Sequence, residues 1–454
     1  MNKKLTYFDK ANNWLKNSLS IRLITIGILI LLLLIPVAMV QNLIRERENR
    51  QREAIAEVSS KWSNAQTVTG LILTVPYTTH TRVYDANDNA KFELVKTTEF
   101  AHFLPDVLNI TGDVSPELRY RGIYEVIVYK SNLKLSGTFS PPSFKEWEIK
   151  DENILWDNAF VSLGLSDLRG IQENVSFNWN GQKFDFNPGV ETNDVISSGI
   201  STRIPIQNGA SNNRVWEYSL NINLNGSSEL NFIPTGKSND VTLNSSWKYP
   251  SFDGAFLPDQ REINSEGFTA NWNISHLNRP YPQSFRSAMP GINESAFGVD
   301  LIVAVDEYQK SMRSAKYAAM FITLTFLVFF FVQILNRVKI HPIQYFIVGL
   351  ALCVFYILLI AISEHLPFKI SYLIASISII AMITLYAKSV SKDNTITKLI
   401  GFILVILYLF IFTIIQMQDY ALLMGSIGLF IVLGIIMYLS RKIDWYDIQP
   451  RPSE

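Results

Sequence analysis

The sequence predicts an α-helical polytopic membrane protein, with six transmembrane helices and a large antiparallel β-rich, sandwich-like domain inserted between helices one and two. Three observations carry that expectation. Mean hydropathy is +0.15, with 48% hydrophobic residues over 454 residues, which is more apolar surface than a soluble core of that size hides. Six uncharged apolar runs, at 23–40, 317–335, 343–362, 370–387, 399–416 and 421–439, each approach or reach the length that crosses a ~30 Å hydrocarbon layer at ~1.5 Å per residue. Between the first and second runs the apolar period changes to two.

Charge and cysteine content narrow the class further. Lys plus Arg and Asp plus Glu both number 40, so no global field points to nucleic acid. The single cysteine, Cys353, lies inside the third run, and a domain facing an oxidising compartment therefore has no internal disulfide to rely on.

Taken in order, residues 1–22 form a basic N-terminal segment, with Lys3, Lys4, Lys10, Lys16 and Arg22 against Asp9. Helix one covers 23–44. Its apolar run exceeds a signal-peptide core of about 7 to 15 residues and no small-x-small cleavage pattern follows, so an uncleaved signal anchor is expected. Pro36 sits near its end, where a kink is tolerated in a membrane helix. Residues 45–64 continue as a stalk helix: Glu46 with Arg50 and Glu48 with Arg52 are i,i+4 pairs, while Ile55, Val58 and Trp62 share a face. That face is either solvated or docked on a second stalk at 305–316, where Asp306 is spaced to meet Lys310.

Residues 65–304 form the β domain. Trp216, Tyr218, Leu220, Ile222 and Leu224 alternate with Glu217, Ser219, Asn221 and Asn223, which gives a strand one apolar and one polar face. Leu133, Leu135 and Phe139 repeat the pattern, as do Phe268, Ala270, Trp272 and Ile274. Asn180-Gly181 between Phe177-Trp179 and Phe184-Phe186 signals a tight hairpin. Asn225 to Glu229 reads as another strand reversal, and 144–163 as a helical piece. One lobe or two is left open.

Residues 317–439 hold five further spans, and 440–454 a tail. Arg337, Lys339, Lys388, Lys392, Lys398, Arg441, Lys442 and Arg451 fall on one set of loop ends, against Lys369 alone on the other. The positive-inside rule then puts both termini in the cytoplasm and the β domain outside it.

Chemistry is sparsely signposted. The histidines lack metal-ligand spacing, and H-E-x-x-H, C-x-x-C and P-loop patterns are missing, as are G-x-S-x-G and the Ser-x-x-Lys with Lys-Thr-Gly pair. No metal, cofactor or catalytic set is expected. The spans carry no Asp, Glu, Lys, Arg or His in their interiors, which weighs against ion-coupled transport.

The interaction candidates are polar or aromatic groups in unusual places. Gln333, with Thr323 and Thr325, is either interhelical glue or a site. Asp167 and Arg169 occupy a turn before Gly170, as a structural pair or a ligand contact. Trp247 and Tyr249 are core aromatics or a partner surface. His341-Pro342 marks one end of the third span, and Glu364-His365 marks the other as a solvated helix end or a pH-sensitive docking point.

Several long stretches occur in a characteristic order: SSKWSNAQTVTGLILTVPY (59–77), LGLSDLRGI (163–171), SSWKYPSFDGAFLP (245–258), NWNISHLNRPYPQSF (271–285), KYAAMFITLTFLVFFF (316–331), IHPIQYFIVGLALCVFYILLIAISEH (340–365) and IDWY (443–446). On these the chain resembles the CreD family, inner-membrane cell envelope integrity proteins of bacteria. The resemblance implies one leading anchor, a large periplasmic domain and a C-terminal bundle in the bacterial inner membrane. It also implies a part in envelope homeostasis, under a CreBC-type two-component system, with effects on colicin tolerance, β-lactam response or biofilm. It brings no catalytic residue, and Gln333 departs from a commoner Glu in the family.

The reading that follows is a non-enzymatic protein of envelope homeostasis whose β domain binds an envelope component. Partners are then membrane lipid and a periplasmic protein, glycan or lipid, not nucleic acid, with the oligomeric state open. A transporter of a lipid or other hydrophobic molecule is the alternative, and an envelope hydrolase the second alternative.

Overall fold

A computed structural model describes residues 19–441, except 86–87, 207–214, 289–290, 303–306, 337, 339, 392 and 418–419. The basic segment before residue 19, Asp306, Arg337, Lys339, Lys392, Lys442, Arg451 and the IDWY motif lie outside the described residues. The chain divides into two compact units, Met1–Gln51 with Val305–Glu454, and Arg52–Ala304.

The first unit is helical. Its helices are α1 Leu19–Trp62, whose last turns belong to the second unit, α2 Glu307–Lys316, α3 Ala318–Leu335, α4 Pro342–Ser363, α5 Phe368–Ser391, α6 Asn394–Gln416 and α7 Ala421–Ser440. All but α2 are long and apolar enough to cross a membrane, as the six runs predict. Local chemistry sets several starts. Asp393 caps α6 by accepting from Thr395 N at 2.7 Å, and Pro342 occupies the first position of α4, where its missing N–H costs nothing.

An aromatic cluster joins α3 to α6. Phe321 and Phe355 pack edge-on against Tyr408 at 4.6 and 4.9 Å between ring centroids, and Tyr372 donates to Tyr408 O at 2.8 Å. By contrast, α7 buries only Gly428 among its residues.

The second unit is the β domain. Its strands are β1 Gln66–Asp85, β2 Asp88–Phe103, β3 Val107–Arg121, β4 Tyr124–Phe139, β5 Phe160–Leu165, β6 Ser176–Trp179, β7 Gln182–Asp185, β8 Asn187–Pro188 and β9 Gly199–Arg203. After these come β10 Trp216–Ser227, β11 Glu229–Ile233, β12 Ser238–Ser245, β13 Pro250–Gly254, β14 Gln260–Asn264, β15 Gly267–Ser275, β16 Ser284–Arg286 and β17 Phe297–Leu301. One sheet runs β13-β17-β11-β1-β5-β9-β8, with β2 paired to β1 and β16 paired to β2. The other runs β14-β15-β12-β3-β4-β10-β6-β7.

One core fills the space between the sheets, from Leu73 and Phe232 on one to Leu135, Leu220 and Trp272 on the other. The sandwich is thus built around one main core. Each predicted alternation is present: along β10 the even positions from Trp216 to Leu224 are buried. Asn180 and Gly181 both have positive φ, 50° and 83°, and close the β6–β7 hairpin as the sequence predicts.

The domain is antiparallel-rich as expected, with two parallel ladders, β1 with β11 and β3 with β12, that make the sheets mixed. Two expectations change. The segment 225–229 makes no hairpin: Ser228 at φ 61° carries the chain from β10 in one sheet to β11 in the other. No α-helix forms over 144–163. Three short 3-10 turns there lay Trp147 and Trp156 against Phe144, and the chain then enters β5, because these apolar residues cap the core rather than line one helical face.

Candidate functional site

The candidates on the membrane unit are mostly helix-end and interhelical contacts. Gln333 on α3 accepts from the Tyr345 hydroxyl of α4 at 2.8 Å, with both side chains buried, which is the interhelical bond rather than an open site. His341 caps α4: its Nδ1 accepts from Ile343 N at 3.3 Å, and Gln344 Oε1 accepts from His341 N at 2.8 Å. Glu364, at the other end of α4, pairs with Arg47 Nε at 3.5 Å and accepts from the Tyr308 hydroxyl at 3.5 Å. Its neighbour His365 is exposed.

In the β domain, Asp167 and Arg169 form a structural clamp. Arg169 Nε and Nη2 reach Asp167 Oδ1 and Oδ2 at 2.9 and 2.6 Å, and Arg169 Nη1 donates to Ser60 O in the last turn of α1. Asp167 Oδ2 also accepts from Asn64 N at 2.9 Å. Those hydrogen bonds, led by Arg169, hold the carboxyl down at about 2. Trp62 packs in the same unit, donating from Nε1 to Tyr129 O at 3.4 Å under the Arg119 guanidinium. Trp247 packs against the core and donates to Ile302 O at 3.1 Å, whereas Tyr249 is 54% exposed.

A different surface has the character of a site. On the outer face of the second sheet, Glu262, Thr269, Asn244, Asp113, Asn132 and Asn223 stand opposite one another on β14, β15, β12, β3, β4 and β10. Thr269 Oγ1 donates to Asn244 Oδ1 at 3.0 Å, Asn244 Nδ2 to Asp113 Oδ1 at 3.3 Å, and Asn132 Nδ2 to Asn223 Oδ1 at 2.6 Å. Asn223 Nδ2 in turn donates to Glu173 Oε1.

A second row follows two residues along: Gln260, Asn271, Thr242, Thr111, Lys134 and Asn221. Two neighbouring clefts of about 420 and 320 Å³ open along the first row, which with Asp113 and Ser115 on the rim of both makes a polar trough from Glu262 to Glu173. The strand period that buries Leu, Ile and Trp inward delivers only polar side chains to these two rows.

The family model described as "Inner membrane protein CreD" matches residues 18–446. The chain is also 32% identical over 420 residues to the Escherichia coli (strain K12) protein "Inner membrane protein CreD", covering 92% of this chain and 91% of that one. The chain belongs to the CreD family. The expected resemblance and the multi-pass inner-membrane location are therefore both met.

One cluster has the order of a catalytic relay: Thr74 Oγ1 lies 3.0 Å from His102 Nδ1, and His102 Nε2 lies 3.3 Å from Asp194 Oδ2. Thr74 and His102 are each 1% exposed, and the Phe285 ring covers the imidazole at 5.3 Å. A nucleophile needs room for a substrate, so these bonds tie β1 and β2 to the loop at Asp194 instead. Burial pushes the His102 pKa down against the pull of Asp194.

The family stretch NWNISHLNRPYPQSF is likewise architectural. Buried Arg279 donates to Tyr281 O and Gln283 Oε1, both at 2.6 Å. In the sequence only the polar half of the β10 alternation hints at the asparagine rows, because the pairing of distant strands brings the rest together.

Proposed function

We propose that this CreD-family protein serves envelope homeostasis as a non-catalytic binding protein, with its β domain in the periplasm and both termini in the cytoplasm. The observation that carries the reading is the polar trough across six strands, a pre-ordered array of amides, hydroxyls and carboxylates. The topology rests on the bias of basic residues toward one set of helix ends. In the short loops between the C-terminal spans and in the tail, the described basic residues Lys388, Lys398 and Arg441 lie on that set against Lys369 on the other. The envelope component docks on the trough, and the bundle anchors the domain.

Photoreactive residues placed at Asn132 and Asn244 in living cells test this reading, with Tyr249 as a control. A specific adduct at the two trough positions and none at Tyr249 is the expected result. Only adducts shared by all three positions would overturn it.

A lipid-handling reading has one supporting feature. An apolar groove of about 570 Å³ lies between α1 and α4, lined by Pro36, Met39, Leu43, Leu350, Cys353 and Ile357, with Asn42 and Glu46 at one end. A bulky Cys353 adduct that blocked transfer of a labelled phospholipid between vesicles would support it, and unaltered transfer would remove it.

A further inference from the structure

The geometry points to an uncharged glycan strand bearing acetamido and hydroxyl groups as the component that lies along the first polar row; this rests on the proposed function of the trough. The side chains themselves select the ligand class. Four of the six positions from Glu262 to Asn223 are short neutral amides or hydroxyls, each able to donate and accept, which is the pairing that sugar hydroxyls and acetamido groups require. Strand spacing sets the repeat at ~4.8 Å, close to the length of one pyranose unit in an extended chain, and the row runs for about 24 Å, room for four or five sugars.

The alternatives fit poorly. A protein partner is met by buried aromatics, Met and Arg, and the first two rows contain none of these. An anionic lipid headgroup or an acidic polysaccharide is met by basic clusters, whereas Asp113, Glu262, Glu266 and Glu173 line this trough.

The array is also fixed in place before any ligand arrives. Thr269, Asn244 and Asp113 are hydrogen-bonded in series, and so are Asn132, Asn223 and Glu173, so their rotamers are held at little further entropic cost. A separate observation marks one end. Asn225 is 4% exposed, lines the cleft beside Lys130, and its Oδ1 has no donor.

The test uses the full chain in lipid nanodiscs and two defined probes: the hexamer of β-1,4-linked N-acetylglucosamine, and the glucose hexamer that lacks acetamido groups. Saturable binding of the first, with weaker binding of the second, is expected. Asn132→Ala and Asn244→Ala should each weaken it about tenfold, as should Glu262→Gln, whose exposed position leaves folding intact. Melting curves matching the parent exclude misfolding. No binding of either hexamer, or binding indifferent to all three substitutions, would overturn the inference. The photocrosslinking above separates the two levels: a lipid or protein adduct at Asn132 and Asn244 ends the glycan assignment and leaves the binding reading standing, whereas no specific adduct ends both.

Discussion

Arg169 grips both carboxylate oxygens of Asp167 and, with its remaining nitrogen, the Ser60 carbonyl at the end of α1. The pair therefore joins the helix terminus, the first residues before β1 and the turn after β5. A carboxyl held at about 2 in the fold and near 4 when unfolded contributes stability above pH 4 that is lost as pH falls toward 2. With the Arg169 side chain half-exposed, solvent screening leaves about 1–2 kcal/mol of it. Asp167→Asn should lower the β-domain melting temperature at pH 7 and flatten its decline between pH 4 and 2, as read by circular dichroism. At the adjoining Gly170, a Cβ would overlap Asn225 O and Gln66 Nε2, so Gly170→Ala should destabilise by about 2–4 kcal/mol.

Buried His102 and half-buried Asp300 give opposite pH slopes. Below pH 6.5 the unfolded chain protonates His102 more readily than the fold does, so stability falls on acidification; His102→Asn should weaken that dependence. Asp300 is pushed up to about 6 by burial, with Glu229 opposite and Asp253 adding repulsion. Its folded form holds a proton that the unfolded form has released, so the stability it supplies at low pH is lost as pH rises from 4 to 6. Asp300→Asn should stabilise the fold by about 1 kcal/mol after screening at pH 7.5, raising the melting temperature there, and leave it unchanged at pH 3.5.

Much of the architecture was legible because membrane thickness and the two-residue strand period are both written directly in hydrophobicity. The six spans and the β10, β4 and β15 faces follow from that alone. Pairing was not legible: that Asn244 stands beside Asp113 across a parallel ladder, with 130 residues between them in sequence, depends on which strands the core brings together. For the same reason Asp167 and Arg169 could be named in advance, two residues apart, but their tie to Ser60 could not. The 144–163 segment misled because its apolar residues cap the end of a core without any regular period.

In the membrane unit, the Tyr345 hydroxyl has Gln333 Oε1 as its partner between α3 and α4. Tyr345→Phe should cost about 1 kcal/mol in a reversible unfolding assay in micelles, and the double variant with Gln333→Leu should recover part of the loss, since neither polar group is then buried alone.

We propose that the trough on the outer face of the second sheet is where this protein acts. The direct measurement is complementation: cells lacking the chain, scored for uptake of a membrane-impermeant dye, receive either the parent or the Asn132→Ala, Asn244→Ala double variant at equal membrane abundance. The parent should restore the barrier, and the double variant should leave uptake near that of the null. Full restoration by the double variant would contradict the proposal.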